Sequence, residues 1–137
     1  MRRLAFVVAT ALLLVGCGTT SPSPTPTAET IGTLPLEVSL ARAEELRQAG
    51  ALVLDVREPS EWAAGVIPGA TLISLGELDG RKGELPRDQT IVVVCRSGNR
   101  SAQGRDILLA AGFRSVTSLV GGMTDWASAG LPVTTPS

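Results

Sequence analysis

The chain has 137 residues, of which 44% are hydrophobic and 18% charged, a composition typical of a single globular domain and too apolar for a disordered protein. Its formal net charge of −1 argues against a nucleic-acid-binding surface. The sequence contains no histidine, so Ser-His-Asp triads and Cys-His pairs are excluded, and its 2 cysteines are too few for a zinc site. Neither a metal nor another cofactor is expected, and any thiol chemistry must be activated by the backbone, a helix terminus or arginine.

The N-terminal residues have the pattern of an export signal. Two arginines precede an apolar run over residues 4–15, which is shorter than the roughly 20 residues of a membrane-spanning helix. The tetrapeptide Leu-Val-Gly-Cys that ends at Cys17 resembles the lipobox of bacterial lipoproteins, in which the cysteine is lipidated. This resemblance implies a signal peptide over residues 1–16, lipidation of Cys17 with chains such as palmitate, and a membrane-anchored protein in the periplasm or on the outer cell surface.

A linker and one folded domain are expected after the signal peptide. Residues 17–33 hold the lipidated Cys17 and a Ser/Thr/Pro run, whose alternating prolines favour an extended conformation that holds the domain away from a bilayer. Residues 34–137 form the domain. Because lipidation consumes the thiol of Cys17, Cys95 is expected to be the single free thiol of the mature chain.

Strand-like segments alternate with helix-like segments along the predicted domain. The sequence predicts, in order, a strand at 36–38, a helix from Ser39 to Gln48 that Gly50 ends, a strand at 51–56, a helical turn at 58–64, a strand at 72–75, a helix at 77–85, a strand at 90–94, a helix at 101–111, a strand at 116–120 and a helix at 123–129. Strands alternating with helices indicate right-handed crossovers, and therefore an α/β fold with a mainly parallel sheet.

Cys95 is the candidate nucleophile because it follows the clearest buried strand. In open α/β sheets, ligands bind outside the carboxyl ends of the strands. The next residues form a polar loop, in which Gly98 and Asn99 permit a tight turn. Loop N–H groups, the next helix N-terminus and the charges of Arg96 and Arg100 would lower the thiol pKa and bind an anion. The residues alone leave open the alternative that Cys95 is a small buried side chain.

Four motifs give the resemblance to a known family. They are residues 54–62, residues 65–70, the loop Cys95-Arg96-Ser97-Gly98-Asn99-Arg100-Ser101 and residues 119–126. In this order they resemble the signatures of rhodanese-like domains, over about residues 37–132. The resemblance implies a central five-stranded, mainly parallel sheet flanked by helices. It also implies a sulfurtransferase in which Cys95 takes sulfane sulfur from a donor such as thiosulfate, and the N–H groups of residues 96–100 bind the persulfide before a thiophilic acceptor removes its sulfur.

Other positions in these motifs carry separate expectations. Asp55 and Arg57 end a buried strand, where they either orient the active-site loop or form a structural ion pair, and the structural role is favoured. The family has histidine in its second signature where this chain has Val66, a departure that bears on local hydrogen bonding. The pair Gly121-Gly122 is expected to let the last loop pass close to the active site.

Two other functions remain open from the sequence. A phosphatase or arsenate reductase would need arginine where Ser101 stands, and here the nearest arginine comes one residue early. A non-enzymatic persulfide or thiol-redox carrier in the cell envelope is the other alternative, because a domain resemblance does not determine function. The expected partners are a small sulfur-containing anion or thiol, an envelope protein as acceptor and the membrane through the lipid anchor.

Overall fold

The structure is a computed structural model that describes residues 34–136. The predicted signal peptide, the lipidation site at Cys17 and the linker to residue 33 lie outside the described residues, and those expectations stay predictions. In the part of the chain that is described, no helix is long and apolar enough to cross a membrane.

Five strands form one parallel sheet. They are β1 (Glu37–Val38), β2 (Leu52–Asp55), β3 (Thr71–Leu72), β4 (Ile91–Val94) and β5 (Val116–Leu119). Their order in the sheet is β1-β5-β4-β2-β3, and every neighbouring pair is parallel. The central strand β4 pairs with β2 and β5, and all of its residues are buried. This arrangement confirms the predicted α/β fold with a five-stranded parallel sheet flanked by helices.

The helices connect these strands. They are α1 (Leu40–Gln48), α2 (Pro59–Trp62), α3 (Leu75–Arg81), a short 3₁₀ turn (Lys82–Glu84), α4 (Asn99–Ala110) and α5 (Gly122–Ser128). As predicted, Ser39 caps α1, and its side chain accepts a hydrogen bond from the Arg42 N–H at 3.4 Å. Gly50 follows the helix with a positive φ of 95°, which glycine adopts at low cost.

The core has two layers, one on each face of the sheet. Since successive strand residues point to opposite faces, Ile91 and Val93 pack on the side of α3 and α4, with Leu78 and Leu108. On the other side, Val92 and Val94 pack with Ala43 from α1 and with Met123 and Trp126 from α5. Cys95 continues the alternation of β4 and belongs to the first layer. Its side chain is therefore directed toward the α4 side of the sheet.

Several predicted boundaries differ from the structure; the helix predicted at 77–85, for example, begins at Leu75 and ends at Arg81. Two others have a clear local reason. The strand predicted at 72–75 ends at Leu72, because Ser74 has extended backbone angles and serves as the N-cap of α3. The helix predicted at 101–111 already begins at Asn99, because Gly98 is the N-cap with φ 107°, a left-handed conformation that turns the chain directly into the helix. The loop that follows Cys95 is therefore shorter than predicted, and Arg100 lies in the first turn of α4.

Candidate active site

The loop after β4 wraps around the sulfur of Cys95. The Gly98 N–H donates a hydrogen bond to Cys95 Sγ at 3.1 Å, and Gly98 also begins α4. The positive end of the α4 dipole therefore faces the sulfur together with the loop amides. Cys95 as a whole is only 1% exposed, so the sulfur is shielded from bulk water. This cradle is suited to a negative charge on sulfur.

Ser101 completes the cradle from the first turn of α4. Its hydroxyl oxygen lies 3.6 Å from Cys95 Sγ, and the hydroxyl donates to the Gly98 carbonyl oxygen at 2.7 Å. The side chain is fully buried. It therefore connects the sulfur to the backbone of the residue that closes the loop, a contact that the sequence analysis did not assign to Ser101.

These contacts determine the acidity of the thiol. Burial on its own would raise the pKa of Cys95, since it disfavours the thiolate. The Ser101 side chain and the backbone hydrogen bonds from Ser101, Gly98 and Ser97 act in the opposite direction and hold the pKa below its ordinary value. The result is a cysteine with increased thiolate character, activated without histidine.

The start of α5 fixes the outer side of the loop. The Met123 N–H donates to the Cys95 carbonyl oxygen at 2.8 Å, and the Thr124 N–H and hydroxyl donate to the Arg96 carbonyl oxygen at 3.1 and 2.9 Å. These bonds hold the carbonyls toward α5, which leaves the loop N–H groups facing the sulfur. Gly122 permits this approach, since a Cβ there would overlap the Cys95 carbonyl oxygen. The predicted close passage of the Gly121-Gly122 segment is thus present.

Arg100 does not point freely into the loop. Its two terminal nitrogens donate to the two carboxylate oxygens of Glu61 in α2, at 2.7 and 2.8 Å. Chiefly through the hydrogen bonds from Arg100, the pKa of Glu61 is lowered to about 2. The pair ties the first turn of α4 to α2, and the positive charge of Arg100 is largely neutralised. The sequence offered no signal for Glu61, because its partner lies far away along the chain.

Asp55 and Arg57 form a buried ion pair at the carboxyl end of β2. The Arg57 guanidinium donates to Asp55 Oδ2 at 2.7 Å and to the Gly65 carbonyl oxygen at 2.8 Å. The Asp55 side chain is fully buried and that of Arg57 is 7% exposed. The pair therefore joins the end of β2 to the second motif. Val66, at the position of the family histidine, is itself buried in the apolar interior.

A cavity of about 300 Å³ opens beside the loop. Its walls come from α2, the second motif, the loop, α5 and the C-terminal tail, and its lining residues are Arg57, Glu61, Ala64, Gly65, Arg96, Met123, Thr124, Ala127 and Val133. Arg96 is exposed, and its guanidinium forms no ion pair with any residue of the described range 34–136. It is therefore the loop arginine available to an anionic ligand.

The described domain matches a known protein family. The family model described as "Rhodanese-like domain" matches residues 39–129. The chain belongs to the rhodanese-like family. The match begins at the residue that caps α1 and ends just after α5, so it includes all of the site except the C-terminal tail.

Relatives of this rhodanese-like domain carry sulfurtransferase names. A sulfurtransferase of Allochromatium vinosum is 40% identical over 85 residues, which are 62% of this chain and 79% of the relative. Thiosulfate sulfurtransferase 16, a chloroplastic protein of Arabidopsis thaliana, is 34% identical over 72% of this chain and 92% of its own. The crystal structure of a rhodanese-related protein from Thermoplasma volcanium is 34% identical, covering 73% of this chain and 98% of its own, with a TM-score of 0.68.

No metal centre is found among the residues that the structure describes. In residues 34–136 there is no group of three or more cysteine and acidic side chains that could hold a metal ion. The groups that the structure brings together here are one buried thiol, the amides around it and the exposed Arg96.

Proposed function

We propose that this rhodanese-like domain is a sulfurtransferase that carries sulfur as a persulfide on Cys95. In the first step the Cys95 thiolate attacks the outer sulfur of thiosulfate. A new S–S bond forms, the S–S bond of the donor breaks, and sulfite leaves with the electron pair. In the second step an acceptor such as cyanide attacks the outer persulfide sulfur, which forms thiocyanate and regenerates the thiolate. Charge balances in both steps, and no other oxidant or reductant is needed.

The observation that carries this proposal is the cradle around Cys95 Sγ. The Gly98 N–H at 3.1 Å and the neighbouring amides stabilise a thiolate, and a persulfide anion carries its charge on an outer sulfur one S–S bond, about 2 Å, away. Fixed donors that face developing negative charge stabilise such states without reorganisation. Cys95 therefore has the environment of a nucleophile and of a sulfur carrier.

Arg96 supplies the positive charge for an anionic donor. Arg57 is engaged with Asp55 and Arg100 with Glu61, whereas Arg96 extends from the residue next to the nucleophile and lines the cavity. The engagement of Arg100 also speaks against a phosphatase, because a phosphoryl group requires an arginine fork directed into the loop.

The activity is tested by thiocyanate release. The purified full chain is incubated with thiosulfate and cyanide, and wild-type protein is expected to release thiocyanate while Cys95→Ser releases none. Thiocyanate release by Cys95→Ser would overturn the mechanism. If wild-type protein gives no turnover but mass spectrometry of the chain isolated from cells finds a 32 Da adduct on Cys95, the carrier function replaces the enzymatic one.

The same proposal includes attachment to a membrane through lipid on Cys17. It rests on the N-terminal sequence pattern, and two or more acyl chains form a stable anchor. Palmitate labelling in a bacterial host, followed by membrane fractionation, tests it. Wild-type chain is expected to be labelled and sedimented with membranes, and Cys17→Ser is expected to be unlabelled. Equal labelling of the two forms would refute lipidation at Cys17.

A further inference from the structure

The hydroxyl of Thr124 makes a long-range contact with the loop after β4. Thr124 is the third residue of α5, and its hydroxyl donates to the Arg96 carbonyl oxygen at 2.9 Å. A hydroxyl in a helix can instead bond a carbonyl of its own preceding turn. Ser128 in the same helix does this, since its hydroxyl donates to the Thr124 carbonyl oxygen at 2.8 Å. The Thr124 hydroxyl reaches across 28 residues of sequence, to the residue that follows the nucleophile.

The Arg96 carbonyl is held by two donors from one residue. Besides the hydroxyl, the Thr124 N–H donates to the same oxygen at 3.1 Å. A carbonyl oxygen has two lone pairs, so the N–H and the hydroxyl can occupy both of them. The side chain therefore adds a second restraint to the one that the backbone of α5 supplies.

The direction of this carbonyl determines the direction of the next amide. In a trans peptide unit the C=O and N–H bonds lie in one plane and point in opposite directions, and trans is the rule where the second residue, here Ser97, is not proline. Because the Arg96 C=O points to α5, the Ser97 N–H points away from α5 and into the loop. Burial raises the pKa of Cys95, whereas the Ser101 side chain and the backbone amides lower it, and the Ser97 amide is one of these.

We propose that Thr124 is a positioning residue for Cys95, whose hydroxyl holds the Arg96 carbonyl toward α5 and so aims the Ser97 N–H at the sulfur. The inference rests on the proposed role of Cys95 as the nucleophile. An amide that is already held in place stabilises a negatively charged sulfur without having to reorient during the reaction. Without the hydroxyl, the peptide unit is held by the Thr124 N–H and can tilt away from the sulfur for part of the time.

The size of the effect follows from the exposure of Thr124. Water can replace the lost hydroxyl as a donor to the carbonyl oxygen, but it does not fix the direction of the peptide unit. A hydrogen bond between neutral groups changes an equilibrium by roughly two- to tenfold, and one at an exposed residue belongs toward the lower end. Loss of the Thr124 hydroxyl is therefore expected to reduce the thiolate fraction of Cys95 about threefold.

The test removes the hydroxyl in one variant and keeps it in another. Thr124→Val retains the branched shape of the side chain and the backbone donor, whereas Thr124→Ser retains the hydroxyl. Alkylation by iodoacetamide is followed across pH in the purified full chain, and the modified Cys95 peptide is quantified by mass spectrometry. Thr124→Val is expected to raise the pKa of Cys95 and to slow alkylation about threefold at pH values below that pKa. Thr124→Ser is expected to keep the wild-type profile.

Thr117→Val is the matched control for the loss of a threonine hydroxyl. The Thr117 side chain is fully buried in β5, and its hydroxyl donates to the Leu36 carbonyl oxygen at 3.1 Å. This variant is expected to lower the temperature of thermal unfolding and to keep the wild-type alkylation profile. If Thr124→Val behaves in the same way, Thr124 has a structural role alone and the inference is overturned. Alkylation slowed equally in Thr124→Ser and Thr124→Val also overturns it, because the hydroxyl is then not the group that matters.

Alkylation does not depend on sulfur transfer, so the assay separates the inference from the proposed function. A shifted profile for Thr124→Val, together with no thiocyanate release by wild type, overturns the enzymatic function and retains Thr124 as a positioning residue for a reactive thiol. An unshifted profile, together with thiocyanate release by wild type, overturns the inference and retains the function.

Discussion

Replacing Ser101 by alanine isolates one contribution to the activation of Cys95. The Ser101 hydroxyl lies 3.6 Å from Cys95 Sγ and donates to the Gly98 carbonyl oxygen at 2.7 Å. A hydroxyl has one proton, so its donation to sulfur competes with its donation to Gly98. When Cys95 is a thiol, its S–H can donate to the serine oxygen. When it is a thiolate, the serine proton can turn toward the sulfur, which lowers the free energy of the charged form.

The size of the effect follows from this competition. A hydrogen bond to a charged group stabilises it by about 1.5–3 kcal/mol. The bond from Ser101 to the thiolate is long and replaces the bond to the Gly98 carbonyl oxygen, so its contribution should lie at or below the lower end of this range. A loss of about 1.4 kcal/mol corresponds to a factor of about ten in the thiolate fraction below the thiol pKa. We therefore expect Ser101→Ala to raise the pKa of Cys95 and to slow its alkylation at neutral pH about tenfold. The loop itself is retained, because the Ala102 N–H still donates to Gly98 O at 3.1 Å.

Alkylation by iodoacetamide across pH is the appropriate assay, with the modified Cys95 peptide quantified by mass spectrometry. Ser128→Ala is the matched control, because the Ser128 hydroxyl also donates to a helical carbonyl oxygen, at 2.8 Å, but makes no contact with the sulfur. This control is expected to keep the wild-type profile. If Ser101→Ala also keeps that profile while thermal unfolding shows it to be folded, the backbone amides alone activate the thiol and the reasoning about Ser101 is refuted.

Three further substitutions test other parts of the structure. Because the pKa of Glu61 is lowered from 4.5 to about 2, its ion pair contributes stability that is fully present above pH 4.5 and is lost as pH falls through 2. Between pH 5 and pH 2, the free energy of unfolding measured by urea titration should therefore fall by about 1–2 kcal/mol less in Glu61→Gln than in wild type, once solvent screening is allowed for. An equal fall in the two proteins would contradict this. Gly122→Ala should lower the free energy of unfolding by at least about 2 kcal/mol and abolish thiocyanate release, because φ is 59° and the new Cβ overlaps the Cys95 carbonyl. Retained activity would show that the close packing of the start of α5 against the loop is not required. Leu108→Ala should destabilise the fold by about 2–5 kcal/mol in the same titration, since the side chain is fully buried, and a loss below about 1 kcal/mol would contradict the assigned core.

The sequence predicted the strands better than the helix starts. Each of the five strands lies within its predicted segment or overlaps it, because buried parallel strands produce continuous apolar runs. The start of α4 was missed by two residues, since nothing in the sequence shows that Gly98 adopts φ 107°. The strand at 72–75 was predicted too long because Ile73 is buried like a strand residue although it lies in the connection to α3.

Local and distant parts of the site differed in how well the sequence predicted them. The position of Cys95 at the end of a buried strand, with a turn at Gly98 and a helix beyond, could be anticipated because all of these features are neighbours along the chain. The partner of Arg100 could not, because Glu61 is 39 residues away and only the packing of α2 beside α4 brings the two together. The same holds for Val133, which reaches the cavity through the pairing of Val66 with Thr134.

The three arginines around the site show why composition alone does not identify the residue that binds an anionic substrate. All three lie in signature motifs, and all three carry the same charge. Burial with Asp55 turns Arg57 into a structural link between β2 and the second motif, and a bidentate pair with Glu61 gives Arg100 a similar role between α2 and α4. Their charges are neutralised inside the fold, so they raise the potential at the sulfur far less than their number suggests. Substitution of Arg96 should therefore affect the KM for an anionic donor, whereas substitution of Arg57 or Arg100 should act first on the stability of the fold.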